Sequence, residues 1–201
     1  PVDYQAEYKQ YLNEMQFISV REKQGAKIVK DLTGREAEVL VDPTMLLTKE
    51  EWMSIAKKSD KKPAVPYLLT YFLGKINKLA KERNLQIINL ANMKDRDYYT
   101  ADPSEFIDFI NSAEIFCTDS FHGVVFSILL ETPFIIFERQ GRLPSMNSRI
   151  ETIISKFDFH SRMAINIDSS NNALNIDFSH VNRIITEERK KAYSYLKNTL
   201  K

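Results

Sequence analysis

Short apolar runs alternate with longer amphipathic stretches along the first half of this chain. Short apolar runs predict buried strands, whereas apolar residues repeating every three to four positions predict helices. The predicted elements are strands over 17–20, 37–41, 67–72 and 85–90 and helices over 22–32 and 75–83. Asn84 supplies the stop for the second helix. Each helix lies between two strands, so this half predicts two strand-helix-strand units.

The same alternation continues in the second half. Asp102 followed by Pro103 predicts the start of a helix, because proline is well tolerated at the first helical position. The further predicted elements are that helix to about residue 112, strands over 115–118 and 133–137, a helix over 124–130 and a terminal helix over 178–201. Strands and helices that alternate with short connections are typical of a parallel, doubly wound sheet. We therefore predict a Rossmann-like α/β fold with helices on both faces of the sheet.

We expect residues 1–201 to form a single Rossmann-like domain, with residues 1–16 as a lead-in segment. A chain of 201 residues with 43% hydrophobic content can bury one substantial core. The stretch 57–63 combines alternating charge with proline, which predicts an exposed linker between the first two units.

The charge balance restricts the classes of partner. The chain has 28 basic and 27 acidic residues, whereas an extended surface for nucleic acid or anionic lipid needs a clear basic excess. Any anion site must therefore be local.

No apolar run approaches the ~20 residues that span a bilayer. Cys117 is the single cysteine, which excludes an internal disulfide and a cysteine-rich metal site and fits a reducing cytoplasm.

Candidate chemistry lies just after the predicted strands, because ligands of open parallel sheets bind outside the carboxyl ends of the strands. The residues at these positions are Arg21, Asp42, Asn92, Lys94 and the segments 119–123 and 139–149. Segment 119–123 is the most informative, since it concentrates several chemically different side chains in one turn.

Residues 118–123, with the sequence TDSFHG, combine a carboxylate, a hydroxyl, an aromatic ring, an imidazole and a glycine between a strand and a helix. Such a turn presents free backbone N–H groups at the positive end of a helix, which suits an anion. Ser120 can cap the helix or bind a phosphate, His122 can donate a proton, and Gly123 allows close approach of the backbone. The residues alone leave two interpretations open: an anion site of undetermined chemistry, or a turn in which Ser120 only caps and His122 only packs.

A longer run around this turn resembles a known family. Residues 117–127, CTDSFHGVVFS, followed by TPFI at 132–135, resemble the signature of polysaccharide pyruvyl transferases. Three further segments of this chain resemble the family's other recurring segments in the expected order. They are SVRE at 19–22, VDPTMLL at 41–47 and NSRI at 147–150. Four ordered segments are far more specific than one, and the resemblance covers a core of roughly residues 17–162.

The resemblance implies a fold and a reaction. Family members have two Rossmann-like halves arranged as in GT-B glycosyltransferases, and this chain resembles the C-terminal, donor-binding half without the N-terminal acceptor half. The implied reaction transfers pyruvate from phosphoenolpyruvate to a sugar or lipid-linked oligosaccharide acceptor of a cell-surface polysaccharide. The product is a pyruvate ketal, and neither a metal nor another cofactor is implied. We accordingly expect a cytoplasmic enzyme near the inner face of the membrane.

The resemblance also implies roles for individual residues. Arg21 matches the family's donor-binding arginine, and His122 matches its general acid. The other substrate-binding residues implied are Ser120, Phe121, Gly123 and Arg149. A guanidinium and a helix N-terminus suit the phosphate and carboxylate of phosphoenolpyruvate. Because a multivalent anion favours imidazolium, we hypothesise that the bound substrate itself charges His122.

One pair of residues departs from the commoner family pattern. Many members carry arginine and leucine where this chain has Ser120 and Phe121, and the serine-phenylalanine version resembles a separate branch. A serine cannot supply the missing positive charge. Arg149 is the best placed by motif to compensate, whereas we expect Arg139 and Arg142 to be exposed to solvent.

Two alternative functions remain. A GT-B-type glycosyltransferase half that uses a nucleotide sugar would need an acidic residue for ribose contact, for which Glu138 is the candidate. A non-catalytic Rossmann-like module would fit both Ser120 and the missing acceptor half.

Trp52 and the pair Tyr98 and Tyr99 fit a sugar-binding surface and core packing equally well.

Overall fold

The computed structural model describes residues 2–72, 76–138 and 147–200. Neighbouring strands among these residues are all parallel. β1 (Ser19–Val20) and β2 (Glu38–Val39) form one sheet. The second sheet contains β3 (Tyr67–Tyr71), β4 (Gln86–Asn89), β5 (Ile115–Thr118) and β6 (Phe134–Ile136), in the order β4-β3-β5-β6. The predicted Rossmann-like α/β fold is therefore confirmed, with its strands divided between two parallel sheets.

Helices flank both sheets. In chain order they are α1 (Gln5–Glu14), α2 (Lys23–Thr33), α3 (Lys49–Ile55), α4 (Asn77–Glu82), α5 (Arg96–Tyr99), α6 (Pro103–Ser112), α7 (Phe121–Leu130), α8 (Asn147–Lys156), α9 (Ser170–Leu174) and α10 (Val181–Thr199). The sequence pattern did not predict α1, α3, α5, α8 and α9. None of the described helices is both long and apolar enough to cross a membrane.

Local signals account for the boundaries that the sequence predicted. At the start of α6, Asp102 Oδ1 accepts the N–H groups of Ser104 and Glu105 at 2.8 and 2.9 Å, which caps the helix. The chain leaves α4 through Asn84, whose φ of 51° lies in the left-handed region. Helix α7 begins at Phe121 rather than at residue 124. His122 therefore lies in the first helical turn.

The core lies on both faces of the four-stranded sheet, because successive side chains of a strand point to opposite faces. In β5, Phe116 packs with buried residues of α6 and α7. Its neighbours Ile115 and Cys117 pack in a second cluster that includes Ala80 of α4 and Ala173 of α9. Helices thus cover both faces, as the doubly wound pattern predicts.

The prediction of an exposed linker over 57–63 is wrong at its centre. Ser59 is buried, and its N–H donates to Asp108 Oδ2 at 2.9 Å while its hydroxyl donates to Glu105 Oε1 at 3.0 Å. Lys62 Nζ lies 2.7 Å from the Asp108 carboxylate. Helix α6 carries two buried carboxylates, and this segment supplies their partners.

The strand order reverses its direction at β3. The chain leaves β3 to form β4 on one side, and it later returns to form β5 on the other side of β3. Such a reversal opens a crevice outside the carboxyl ends of the two central strands. Tyr71 ends β3 and Thr118 ends β5, so the segment 118–123 begins at this crevice.

Candidate functional site

Arg21 and Asp42 form an ion pair beyond the ends of β1 and β2. Arg21 Nη1 donates to Asp42 Oδ2 at 2.7 Å. The Asp42 side chain is 3% exposed, whereas that of Arg21 is 40% exposed. A buried carboxylate therefore fixes a guanidinium that a ligand can still reach.

Asp42 is held in its ionised form. Burial pushes its pKa upward, but hydrogen bonds from Thr44 and Arg21 outweigh burial, and the net pKa lies below the ordinary value. The N–H of Thr44 donates to Oδ1 at 2.9 Å, so each carboxylate oxygen has its own donor. The same carboxylate caps the 3₁₀ helix Pro43–Leu46, which keeps Asp42 in a fixed orientation.

Phe121 and His122 bring the first turn of α7 to this ion pair. His122 Nε2 lies 3.8 Å from Asp42 Oδ2, and the His122 side chain is about half exposed. The guanidinium carbon of Arg21 lies 5.9 Å from the centroid of the Phe121 ring, within cation–π distance. The structure thus joins the predicted residues Arg21, Phe121 and His122 in one site around Asp42.

The N-terminus of α7 also supplies backbone donors. The N–H of Gly123 donates to Ser120 Oγ at 3.4 Å, and the N–H of Val124 donates to the Ser120 carbonyl at 3.1 Å. Within the described ranges, the N–H groups of Phe121 and His122 have no acceptor. Two unpaired N–H groups at the positive end of a helix suit an anion.

Gly123 serves the packing of α7 on β5. A Cβ atom at this position would lie 2.7 Å from Thr118 Oγ1 and 3.1 Å from Phe116 Cε1. Ser120, the predicted cap, accepts one long hydrogen bond from Gly123, and its own N–H donates to Thr118 Oγ1 at 3.0 Å. Glycine is therefore required here for the close approach of a helix to a strand.

Arg149 lies in the first turn of α8 and pairs with Glu22. Its Nε lies 3.5 Å from Glu22 Oε1, and the neighbouring Ser148 hydroxyl donates to Glu22 Oε2 at 2.6 Å. Segment 147–150 therefore folds against segment 19–22, beside Arg21. Arg139 and Arg142 lie outside the described residues.

An open cleft of about 510 Å³ lies on the other side of His122, at the carboxyl ends of β3 and β5. Its lining includes Tyr71, Tyr98, Tyr99, Asp102, Ser120 and His122. The sequence left Tyr98 and Tyr99 between two interpretations and did not single out Tyr71. The position of Tyr71 near the end of the predicted strand 67–72 was the signal that could have identified it.

The other candidates lie elsewhere. Trp52 Nε1 donates to the Thr44 carbonyl at 2.9 Å, and its ring packs edge-on against Phe126, so packing explains this residue. Glu138 borders a separate depression that is also lined by Ser148. Burial raises the pKa of Cys117 to about 12, with a smaller opposing effect of Arg162, so Cys117 is a core thiol.

Parallel strands flanked by helices define a Rossmann-like α/β protein, and a cation, an imidazole and a helix N-terminus at the strand ends form its candidate anion site. The family model described as polysaccharide pyruvyl transferase matches residues 3–141, which is more than half of the chain. The chain therefore belongs to the polysaccharide pyruvyl transferase family. The match includes Arg21, Asp42 and His122 and ends before Arg149. A comparison with curated proteins found no matching sequence.

Proposed function

We propose that this chain is the donor-binding half of a polysaccharide pyruvyl transferase, which binds phosphoenolpyruvate and transfers its pyruvate to a sugar. The convergence of Arg21, His122 and the α7 N-terminus around the buried Asp42 carries this proposal. These groups come from segments far apart in sequence. They combine a fixed cation, a proton donor and free backbone donors in one place.

The donor carries a phosphate and a carboxylate, so it needs guanidinium and N–H donors. Arg21 engages Asp42 through one nitrogen, Nη1, which leaves its other donors for a ligand. The free N–H groups of Phe121 and His122 suit a second anionic group. Arg149 shares its charge with Glu22 nearby and is the described residue best suited to compensate for Ser120.

The chemistry starts with a proton on the methylene carbon of phosphoenolpyruvate, which His122 would deliver as general acid. Protonation creates an oxocarbenium-like centre at C2, and one sugar hydroxyl attacks it. Phosphate then leaves and a second hydroxyl adds, which completes the ketal. The two hydroxyl protons balance the proton gained by the methylene carbon and the proton that leaves with phosphate.

A GT-B-type half for a nucleotide sugar remains the main alternative. It would use Glu138 for ribose contact, but Glu138 borders a depression whose lining does not include His122. A non-catalytic module remains the third interpretation. Binding measurements separate all three, since each predicts a different ligand.

The first test is a calorimetric titration with phosphoenolpyruvate and, separately, with uridine diphosphate glucose. We expect phosphoenolpyruvate to bind the wild type, and Arg21→Gln to weaken its binding about 10- to 100-fold through loss of a charged hydrogen bond. Arg183 is exposed on α10, so Arg183→Gln is the matched control and should leave affinity unchanged. Binding of the nucleotide sugar alone would favour a glycosyltransferase, and binding of neither ligand would favour the non-catalytic module.

His122→Gln separates binding from chemistry. We expect this variant to retain affinity for phosphoenolpyruvate within a fewfold, because the helix donors remain. Its turnover should fall at least 100-fold, since a general acid typically contributes 10²- to 10⁴-fold. Phosphate release measured across pH for both proteins tests this. Wild-type turnover and an unchanged pH profile in the variant would remove His122 from the mechanism.

A further inference from the structure

The cleft beside His122 has a lining that suits a carbohydrate. We infer that this donor-binding half itself contacts the acceptor and that the cleft binds one of its pyranose rings, a conclusion that rests on the proposed pyruvyl transfer. Tyr71 and Tyr99 would be the aromatic surfaces and Asp102 the hydrogen-bond acceptor. The cleft volume of about 510 Å³ is ample for a monosaccharide. Nothing in the donor site described above uses these three residues.

Two tyrosine rings of the cleft are exposed. Tyr99 is 47% exposed and Tyr71 is 40% exposed. Tyrosines of similar exposure occur on α1, for example Tyr8, but Tyr71 and Tyr99 share a concave surface with His122. The C–H face of a pyranose packs on an aromatic ring, while the tyrosine hydroxyl remains available to solvent or sugar. Exposed rings in a concave site therefore favour a sugar over a purely apolar ligand.

The core fixes the cleft at its base. Tyr71 contacts the Phe106 ring edge-on, with 5.7 Å between ring centroids. Tyr98 contacts Phe109 in the same manner at 6.0 Å. Tyr99 contacts no other aromatic ring within the part of the chain that the structure describes. One ring is therefore held in place and another is available for stacking, which reduces the entropy lost on binding.

Asp102 adds a carboxylate to the cleft wall. Its Oδ1 accepts from the N–H groups of Ser104 and Glu105 and from the Ser104 hydroxyl, whereas Oδ2 accepts no hydrogen bond from any described residue. Hydrogen bonds, chiefly from Ser104, hold the pKa of Asp102 below its ordinary value, so the carboxylate is ionised at neutral pH. A fixed, ionised oxygen beside aromatic rings is suited to accept from a sugar hydroxyl.

The cleft also lies where the reaction needs the acceptor. The attacking hydroxyls must reach C2 of phosphoenolpyruvate, whose methylene carbon must lie within proton-transfer distance of His122. Ser120 and His122 line the cleft on one side, and His122 lies beside Arg21 and Asp42 on the other. A sugar in the cleft would therefore be adjacent to the donor, with His122 in contact with both.

Saturation-transfer NMR on the full chain tests this inference. The probes are methyl pyranosides of glucose, galactose, mannose and N-acetylglucosamine, each near 10 mM because single sugars bind with Kd values of about 1–10 mM. We expect at least one to receive saturation through its ring protons. Tyr99→Ala should weaken this binding about five- to tenfold, while Tyr99→Phe retains it. Tyr8→Ala removes an equally exposed tyrosine and should change nothing.

Phosphoenolpyruvate binding is measured on the same samples by ³¹P NMR, so that the two proposals can fail separately. Loss of pyranoside binding in Tyr99→Ala with unchanged phosphoenolpyruvate binding supports the sugar site. A wild type that binds phosphoenolpyruvate but no pyranoside overturns the sugar site and leaves the proposed function standing. Equal pyranoside binding in Tyr99→Ala, or Tyr99-dependent binding of uridine diphosphate alone, also overturns it. Pyranoside binding that depends on Tyr99 without phosphoenolpyruvate binding instead overturns the proposed function.

Discussion

Gly123 allows a close approach of α7 to β5. The hydrogen atom of glycine fits beside Thr118 and Phe116, where a methyl group would not. This contact sets the position of the α7 N-terminus relative to the sheet edge. The sequence suggested that Gly123 allows a ligand to approach the backbone. In the structure, Gly123 determines the position of the candidate donor site through packing.

Gly123→Ala should destabilise the protein by about 1–3 kcal/mol, because an added Cβ atom would lie 2.7 Å from Thr118 Oγ1. The free energy of unfolding in urea measures this. Gly25→Ala is the matched control within α2, where the atom nearest to an added Cβ would be Val20 Cβ at 3.3 Å, a much less severe contact. Helix propensity should make that change neutral or stabilising. Equal losses in both variants would contradict the packing account.

Asp42→Asn should destabilise the protein by about 1–3 kcal/mol at pH 7, because Arg21 loses its buried partner. The pKa of Asp42 is lower in the folded than in the unfolded chain, so ionised Asp42 stabilises the fold above the unfolded pKa of about 3.9. This contribution is lost as the pH falls through the folded pKa. The difference between wild type and variant should therefore shrink below about pH 4.

Urea unfolding at several pH values between 7 and 3 measures the Asp42 effect. Asp60 is exposed, so Asp60→Asn makes the same change in charge without removing a buried ion pair. We expect the control to stay within about 0.5 kcal/mol of the wild type. A loss in Asp42→Asn that is independent of pH would assign its effect to packing instead of charge.

At the scale of elements, Arg162 ties the short helix α9 to strand β6. Its guanidinium is buried and donates to the carbonyl oxygens of Phe134, Asn172 and Ala173 at 3.0, 2.9 and 2.5 Å. Burial lowers the pKa of Arg162, opposed by the nearby Cys117. Carbonyl groups near a helix C-terminus carry negative partial charge, so they suit a cation that has no carboxylate partner among the described residues.

Arg162→Met should lower stability by about 2–4 kcal/mol, because three carbonyl oxygens lose a charged donor. Thermal unfolding followed by circular dichroism measures the change. Arg183→Met removes an exposed arginine of α10 and should shift the midpoint little. A stable Arg162→Met protein would mean that water replaces the guanidinium at no cost.

At the scale of the whole molecule, the segment that follows β2 joins the main core through Val41 and Met45. Helix α10 buries Ile185 in the main cluster, and its Arg189 Nε donates to the Met45 carbonyl at 2.7 Å. Lys191 of the same helix lies 2.5 Å from Glu38 of β2. Helix α10, near the C-terminal end of the sequence, therefore connects the segment around β2 to the larger sheet.

We expect both sheets to unfold in one transition. Trp52 is the single tryptophan, and it lies between Thr44 after β2 and Phe126 in α7. Its fluorescence should change at the same urea concentration as the far-ultraviolet circular dichroism. Ile185→Ala should lower both midpoints together, with a loss of about 2–4 kcal/mol. A Trp52 fluorescence transition at a lower urea concentration would show that the part of the chain containing β1 and β2 unfolds separately.

Much of this architecture was predictable because the signals are local. Strand β5 and helix α6 agree closely with the predicted ranges, since an apolar run and an Asp-Pro start depend only on neighbouring residues. The linker over 57–63 was mispredicted because its charges looked solvated. Lys62 instead pairs with Asp108 in the interior-facing part of α6, a partner that periodicity alone does not reveal.

The sequence by itself determined the order of the six described strands and of five helices, α2, α4, α6, α7 and α10. It also determined the turn at 118–123 and, through four ordered segments, the family expectation, because periodicity, capping residues and motifs are local properties of the chain. Only the tertiary structure decided that Asp42 joins Arg21 to His122, and that Tyr71 and Tyr99 share a cleft with His122. These neighbours are distant in sequence. The strand order and the packing of α7 on β5, governed by Gly123, bring them together.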